Sequence, residues 1–580
     1  MPLEVAAKHR KSRAGNLLLF LTALTPAVYL GWLISATAVN ILYADEWGYI
    51  FLFRHLSTHT LTLQDMVRQH NESRTTLPNL IELGLGVLTH WDTRWDMGVT
   101  FLFACIISLN VYLLSRRTLN LRQGLALWAV ANLLIFSTAQ SQNWTWGIQM
   151  IVFMPIMFIT LGMLIAYSRM NVTWKFATCI ALATASTFSY ANGQLAWVLL
   201  LAALLIGSRG HGQRPRWRIG IWGAAFAANM WVYYHDYHAP VRSPSMLLIF
   251  KHPIDGMEYF TAFLGASLGQ GFHKLWVSVA FGVVLLSCLV IGCFYIWRRC
   301  RCGQTRIVQL SSIWLLVAAY AVASAAVTTA GRLGFGLIYS QDSRYTTFSL
   351  YLVVGLLYLG AIIVNDVYRR GYFVSARALA VLGLGLVLIP HISTEIGGVR
   401  QMWADRRIRL SEKAFTQLLN LFPSPQGVYM HPHVLIEKDF LNQMGYLSPR
   451  LVVSRDLTKI AAPNGGEASG FIDAMYPLNE SSWNAMGWGI IPGRQDPAEV
   501  VLLAGENGSG SAIAFAETLV GGTRPDVVKI THDHNFYLSG WGVTFKSVDV
   551  PSGTTIISAW VYDPETGWAY RLGEARPFPG

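Results

Sequence analysis

Asn40-Ile-Leu-Tyr-Ala-Asp-Glu-Trp-Gly-Tyr49 places two adjacent acids, Asp45 and Glu46, directly after an apolar run over residues 16–38. The run is longer than the core of a signal peptide and has no convincing cleavage site, so we expect it to remain as a first membrane span. Carboxylates beside a bilayer are costly and suggest a function, although a pair just outside the hydrocarbon can equally be a solvated helix cap. The acid pair is therefore the first candidate site.

The composition is typical of an integral membrane protein. Of 580 residues, 53% are hydrophobic and 13% are charged, which is roughly half the charged fraction of a soluble domain. A net charge of +12 would suggest a nucleic-acid partner in a soluble chain. Here the basic residues fall in short clusters between apolar runs, as membrane topology requires, so we expect no nucleic-acid partner.

Further apolar runs, each near the ~20 residues that cross a bilayer, bring the prediction to about eleven spans. They cover residues 16–38, 97–115, 124–139, 149–167, 176–190, 192–207, 218–234, 274–296, 308–329, 346–364 and 377–394. If each run crosses once, the basic clusters at 8–13, 116–122, 169–175, 209–218, 298–306 and 369–377 all fall on one side. That side is the cytoplasm, which then holds the N-terminus, residues 1–15.

The same alternation places outside the membrane a long first loop (39–96), short turns at 140–148 and 190–193, the segment 235–273, the loop 330–345 and everything after about residue 395. The apolar piece at 256–268 would break the alternation if it crossed. We interpret it as a re-entrant or interfacial helix, which is tolerated where it lines a protein cavity.

The predicted fold class is a polytopic α-helical membrane protein with a C-terminal extracytoplasmic α/β region that ends in a β-sandwich. The transmembrane domain covers 16–395, a helical connecting region covers 396–465, and the sandwich covers 466–580. Helical periodicity at 406–421 supports the connecting region. Short β-prone runs separated by turn signals support the sandwich: Val500-Val-Leu-Leu503, Val527-Val-Lys-Ile530, Gly542-Val-Thr-Phe545 and Thr555-Ile-Ile-Ser-Ala-Trp560.

The first outer loop contains a second candidate segment, His70-Asn-Glu-Ser-Arg74. His70, Glu72 and Arg74 bring a titratable base, an acid and a phosphate-type donor into a short stretch. If the segment is helical, His70 and Arg74 share a face. The alternative is an ordinary charged and solvated loop.

The 140–149 turn is a candidate sugar-binding edge, because amides bond hydroxyls and flat indoles stack on sugar rings. Its candidate residues are Gln142, Asn143, Trp144 and Trp146. The alternative is an aromatic belt at the membrane interface.

The 331–345 loop is a candidate phosphate site. Arg332 and Arg344 lie beside spans on the side that should carry few positive charges, and a guanidinium forms paired hydrogen bonds to phosphate. Tyr345 adjoins Arg344 as a further contact. The alternative is a structural ion pair, in which Asp342 neutralises one arginine.

An acid pair after the first span, a long outer loop, about eleven spans and an extracytoplasmic C-terminal domain together resemble the GT-C glycosyltransferases. The resemblance covers roughly residues 15–395 in layout, and at residue level it rests on Asp45 or Glu46. It implies an inverting transferase of cell-envelope polysaccharide biosynthesis that moves a sugar from a polyprenyl-phosphate donor to a glycan, lipid or protein acceptor. It also implies a bacterial inner membrane, with the C-terminal domain periplasmic or extracellular.

The resemblance implies Asp45 as the general base, with Glu46 or Glu72 as a second acid. His70, Arg74, Arg332 and Arg344 are then expected to contact the donor phosphate. Gln142, Asn143, Trp144, Trp146 and Tyr345 are expected to contact the substrate. No residue is assigned as a metal ligand; Mg²⁺ or Mn²⁺ could bridge the acids and the phosphate, although several enzymes of this class work without metal. A flippase or transporter for a lipid-linked saccharide, and a non-catalytic glycan-assembly protein, are the alternatives.

Overall fold

The computed structural model describes residues 2–207, 216–240, 243–424, 431–463, 468–494, 496–508 and 510–579. Most of the basic cluster at 209–218 lies outside these ranges. The chain forms two compact units. The first contains Met1–Ala38, Phe51–Thr89 and Thr93–Trp403, and the second contains Val39–Ile50, His90–Asp92 and Ala404–Gly580. The acid pair thus belongs to the unit of the C-terminal region, whereas the sequence grouped it with the transmembrane domain.

Helices dominate the first unit. In chain order they are α1 (Pro2–Thr37), α2 (Ile50–Ser57), α3 (Leu63–Val67), α4 (Thr76–Thr89), α5 (Arg94–Thr118), α6 (Leu121–Ile135), α7 (Ser141–Thr145), α8 (Met150–Ala166), α9 (Val172–Thr187), α10 (Leu195–Gly207), α11 (Arg216–Tyr234), α12 (Leu248–Lys251), α13 (Pro253–Gly269), α14 (Leu275–Arg301), α15 (Thr305–Arg332), α16 (Thr346–Arg369) and α17 (Phe373–Leu418).

Several of these helices are long and apolar enough to cross a bilayer, as expected for a membrane protein. Within the described ranges there are eight: Arg13–Thr37, Arg94–Thr118, Leu121–Thr145, Gly147–Ala166, Leu275–Arg301, Thr305–Phe335, Ser343–Arg369 and Phe373–Leu418. All eleven predicted spans lie on helices, but three of them fall on α9, α10 and α11, which are outside the eight. The count of about eleven crossings therefore stays a prediction.

The apolar piece at 256–268 forms α13, a 17-residue helix that packs closely on α14. A Cβ on Gly265 would lie 1.9 Å from the carbonyl oxygen of Ser278, and one on Gly282 would lie 1.8 Å from that of Thr261. Only glycine permits such an approach of two backbones. The close packing fixes the end of α13, where the polar residues after Gly269 begin.

α17 is one continuous helix that contains two elements predicted to be separate. The predicted span at 377–394 and the predicted helix at 406–421 are parts of one helix of 46 residues. The stretch between them contains no proline and only two adjacent glycines as helix breakers, Gly397 and Gly398. The division between the two units falls inside this helix, after Trp403.

The second unit contains two further helices, α18 (Pro432–Gln443) and α19 (Pro525–Thr531), and most of the strands. The strands of the first unit are β1 (Gln69–His70) and β2 (Ser73–Arg74). Those of the second are β3 (Ala468–Asn479), β4 (Ser482–Ile490), β5 (Val500–Glu506), β6 (Ala512–Gly522), β7 (Gly540–Lys546), β8 (Ile556–Tyr562), β9 (Ala569–Gly573) and β10 (Arg576–Pro577).

These eight strands form one sheet in the order β10-β8-β5-β6-β7-β4-β3-β9, and β9 also pairs with β8. The sheet therefore closes on itself into a barrel, and the predicted β-sandwich is confirmed as a C-terminal β-rich region. Closure removes exposed strand edges. The β-prone run at 527–530 is wrong as a strand, because it lies in α19, which has Pro525 in its first turn with φ already suited to a helix.

β5 shows how the barrel is covered on both faces. Val501 and Leu503 point into the barrel interior, whereas Val500 and Leu502 pack outward against a cluster that contains Phe415 of α17. All four valine and leucine side chains are fully buried. A strand buried on both faces reads as a continuous apolar run rather than an alternating one, which is the pattern of this stretch.

Candidate functional site

The two acids of the 40–49 stretch have different environments. Glu46 is 1% exposed, and its Oε2 accepts a hydrogen bond of 2.7 Å from the backbone N–H of Tyr43. It thereby caps the short helical turn Ala44–Tyr49. Asp45 is exposed. The cap interpretation therefore fits Glu46, and Asp45 is the acid of the pair that faces outward.

Two ring contacts involve close sequence neighbours of Asp45 within the second unit. The ring of Trp47 stacks on that of His431 with centroids 6.0 Å apart, and the guanidinium of Arg409 lies 3.5 Å over the ring of Tyr43. Burial lowers the pKa of His431, the charge of His433 lowers it further, and the Asp45 carboxylate opposes both effects. The charge of Asp45 thus acts on His431, which the sequence alone predicts to be an ordinary loop histidine.

The His70–Arg74 segment is a hairpin, so the condition under which His70 and Arg74 would share a helical face is not met. β1 pairs antiparallel with β2, with His70 opposite Ser73, and Asn71 takes the positive φ of 49° that such a tight turn requires. His70 and Arg74 consequently lie on different strands of the hairpin. They do not share a helical face.

Arg74 is 8% exposed, and its guanidinium is occupied by the backbone. Nε donates to the carbonyl of Tyr233 at 2.6 Å, Nη1 donates to that of Val67 at 2.8 Å, and Nη2 donates to that of His235. These bonds tie the hairpin to the end of α11. The assignment of Arg74 to the phosphate of the sugar donor is therefore corrected, because its guanidinium N–H groups already donate to backbone carbonyls.

Replacing Arg74 with lysine should destabilise the first unit by about 2–4 kcal/mol, because an ammonium does not reproduce the planar fork and charged hydrogen bonds are each worth roughly 1.5–3 kcal/mol. The melting temperature of the full chain in detergent, followed by tryptophan fluorescence, should fall. Arg68→Lys is the control, since Arg68 is exposed and stacks on Phe51. Unchanged melting of Arg74→Lys together with lost phosphate binding would restore the original assignment.

The other two predicted phosphate arginines are in ion pairs. Arg332 Nη2 contacts Glu72 Oε1, and Arg344 Nε lies 3.0 Å from Asp342 Oδ2. Both pairs are partly buried. The structural ion pair, which was the alternative for the 331–345 loop, is therefore what the structure shows. Neither Glu72 nor the two arginines is a free catalytic or phosphate-binding group in this arrangement.

The 140–149 turn and the 331–345 loop are in contact, but mainly through buried side chains whose hydrogen bonds stabilise the fold. Asn143 Nδ2 donates to the carbonyl of Arg344 at 3.1 Å and to Thr347 Oγ1 at 2.8 Å, and Trp144 Nε1 donates to the carbonyl of Ser137 at 2.9 Å. The exposed fractions are 0% for Asn143 and Trp144, 5% for Trp146 and 4% for Tyr345. These four residues cannot contact a substrate without a rearrangement, which corrects their assignment.

A cavity of about 480 Å³, here called the polar cavity, lies where the turn and the loop meet. Its lining carries amides and hydroxyls, with Asp342 and His273 as ionisable groups. The lining residues are Thr138, Ala139, Ser141, Gln142, Gln270, Gly271, His273, Ile338, Tyr339, Gln341, Asp342, Ser343, Thr394, Gly397, Gly398 and Gln401. Of the predicted site residues, Gln142 is in this lining.

Sequence reasoning missed most of this lining. Gln270 and His273 follow α13 immediately, so the interpretation of 256–268 as a cavity-lining helix contained the relevant signal. No sequence signal pointed to the α17 residues of the lining. Thr394 and Gln401 lie at helical spacing, but the predicted end of a span falls between them, so they were assigned to different elements. Residues at i, i+3, i+4 and i+7 share one helix face.

α17 is fixed to the turn by an acid that the sequence did not single out. Glu395 accepts hydrogen bonds from the hydroxyl of Ser137 and from the backbone N–H and Oγ1 of Thr138, the last at 2.9 Å. A Cβ on Gly398 would lie 2.3 Å from the carbonyl oxygen of Thr138. The helix and the turn are therefore in backbone contact at the edge of the polar cavity.

Comparison of the chain with protein-family models, curated proteins and solved structures gave no match. Among the described residues, no three or more His, Cys, Asp or Glu side chains are grouped so as to hold a metal ion.

Proposed function

We propose that this protein is an inverting membrane glycosyltransferase that moves a sugar from a polyprenyl-phosphate donor to an extracytoplasmic glycan, lipid or protein acceptor. The polar cavity is the observation that carries the proposal. Glutamine amides and serine and threonine hydroxyls converge in it beside a single acid and a single histidine, and a few convergent polar groups in a concave site fix the orientation of a polar ligand. The cavity is the proposed sugar-binding site.

The GT-C resemblance, rather than the polar cavity, supports Asp45 as the proposed general base. Its carboxylate takes the proton of the acceptor hydroxyl while that oxygen bonds to the anomeric carbon, and the bond from this carbon to the phosphate oxygen breaks with its electron pair. Attack opposite the leaving group inverts the anomeric configuration. Glu46 is not proposed for proton transfer, because it is buried and caps its own turn.

A flippase or transporter for a lipid-linked saccharide is the second candidate, and one observation favours it. His391 and Glu395 place two ionisable groups in α17, one of the eight membrane-length helices. Such groups often mark a transport path. The experiments below separate this candidate from transfer, because transport leaves the bond between sugar and phosphate intact.

Gly397→Leu should lower transfer about 10-fold to 100-fold, because Gly397 lines the polar cavity and a leucine there would fill space that the sugar needs. The backbone has room for the added side chain, since the nearest atom to a Cβ at this position is 3.8 Å away. The melting temperature should hold or rise, since glycine costs a helix up to about 1 kcal/mol. Product formed from a radiolabelled lipid-phosphate sugar is the measurement.

Gly383→Leu on the same helix is the matched control. A Cβ at Gly383 would meet no atom within 4 Å, and Gly383 does not line the polar cavity, so transfer should match the wild type. Full transfer by Gly397→Leu would contradict the assignment of the cavity to the sugar.

A further inference from the structure

A second and larger opening in the first unit is apolar. It has a volume of about 890 Å³ and lies between α1, α6 and α17; we call it the apolar groove. Its lining residues are Thr22, Thr25, Pro26, Tyr29, Ala129, Val130, Leu133, Phe136, Leu388, His391, Ile392, Glu395, Ile396, Val399 and Arg400. Tyr29, Ile392 and Ile396 are 44%, 63% and 51% exposed. All three helices lie in segments that are long and apolar enough to cross a bilayer, so we expect the groove to face hydrocarbon.

The groove and the polar cavity use opposite faces of the same stretch of α17. The cavity face carries Thr394, Gly397, Gly398 and Gln401. The groove face carries Glu395, Ile396, Val399 and Arg400. At 3.6 residues per turn these two sets point in opposite directions. The groove is thus a separate binding space beside the cavity.

Arg400 gives the groove a positive charge at one end. Its side chain is exposed, and no described residue pairs with it. By contrast, Arg74, Arg332 and Arg344 are all engaged, as shown above. A guanidinium binds phosphate through paired, charge-assisted hydrogen bonds. Arg400 is therefore the arginine of this unit that best suits a phosphate beside an apolar groove.

His391 adds a polar atom inside the groove. Its side chain is 7% exposed, and its Nε2 lies 3.6 Å from Glu395 Oε1. Its buried Nδ1 has no hydrogen-bond partner in the described part of the chain. A buried polar atom without a partner is costly, so an occupant or a water molecule that enters the groove has a group to bond there. The groove is thus suited to a chain with a polar head rather than to plain hydrocarbon.

We propose that the apolar groove binds a lipid monophosphate, with one long hydrocarbon chain between α1, α6 and α17 and its phosphate on Arg400. The volume of the groove lies in the usual range of ligand sites, about 300–1,000 Å³, which suits part of one chain. The inference rests on the proposed function for one point only, the polyprenyl nature of the chain.

The test is binding of a sugar-free polyprenyl monophosphate to the purified full chain in detergent, measured by native mass spectrometry. Arg400→Gln should weaken binding about tenfold or more, as loss of a charged hydrogen-bond pair does. Val130→Trp should abolish it by filling the groove. The matched controls are Arg377→Gln, which removes an exposed arginine from the same helix, and Val290→Trp on α14, at a residue that is 65% exposed. Both controls should bind as the wild type does.

Wild-type binding by both Arg400→Gln and Val130→Trp would overturn the inference. Equal competition by a diacyl phosphatidic acid would also overturn it, because the groove would then be a general lipid contact. Because the probe carries no sugar, a wild type that transfers nothing leaves this result standing. A failure of the inference and a failure of the proposed function are therefore distinguishable.

Discussion

Asp45→Asn should reduce sugar transfer by a factor of about 10²–10⁴, the usual contribution of a general base, while the protein folds as before. Asparagine has nearly the same size but does not accept the proton of the acceptor hydroxyl at neutral pH. Because Asp45 is exposed, the substitution leaves no buried group without a partner. The loss should appear in kcat at saturating donor, with the melting temperature unchanged.

Glu46→Ala provides the opposite pattern as a control. The carboxylate of Glu46 caps a turn and is buried, so its removal should cost about 1 kcal/mol or more of stability. The folded fraction should retain its rate of transfer. If Glu46→Ala abolished kcat and Asp45→Asn retained it, the roles of the two acids would be reversed.

Arg494→Met should destabilise the barrel by about 3–5 kcal/mol, the typical effect of removing one partner from a buried ion pair. Arg494 bridges two carboxylates, with Nη2 2.6 Å from Glu499 Oε1 and Nη1 3.1 Å from Asp563 Oδ1. The two acids are only 3% and 5% exposed. Methionine fills similar volume but leaves two buried carboxylates without their counter-ion. The urea-induced unfolding of the full chain, followed by far-UV circular dichroism of the β-signal, measures the change.

Arg571→Met is the matched control, because it removes an arginine from a surface pair. Arg571 Nη2 lies 2.9 Å from Glu506 Oε2, and the arginine is 48% exposed. Exposed pairs contribute about 0.2–1 kcal/mol, so this variant should unfold nearly as the wild type does. Equal effects of the two substitutions would show that the Arg494 network does not hold the barrel together.

The helices could be predicted because a helix that crosses a bilayer needs about twenty consecutive apolar residues, a pattern that is visible in the local sequence. Every apolar run near twenty residues lies on a helix, and the unbroken run after residue 500 became a strand covered on both faces. The closure of the barrel could not be predicted, since the pairing of β8 with β9 as well as with β5 is a tertiary choice. The prediction of a strand at 527–530 failed for a local reason. Pro525 favours the start of a helix, and this preference outweighs the β propensity of the two valines.

The site was harder to predict, because the sequence shows which loops face outward but not which side chains are already engaged. Arg74 had the right chemistry for phosphate, yet three backbone carbonyls occupy its donors. Asn143 and Trp144 had the right chemistry for a sugar, yet they are fully buried. Arg400 gave no signal, because it follows a predicted span like any interfacial arginine. Arg400 is distinguished as a phosphate ligand only because Arg74, Arg332 and Arg344 are already engaged with other protein groups.

Glycosyl transfer is tested most directly with the purified full chain in liposomes supplied with radiolabelled polyprenyl-phosphate sugars and an acceptor extract. We expect the label to move to the acceptor, free polyprenyl phosphate to appear in equal amount, and the new linkage to have the inverted anomeric configuration by NMR, as the proposed transfer requires. Donor that crosses the bilayer with its sugar still attached, or donor that stays intact with every sugar supplied, would contradict it.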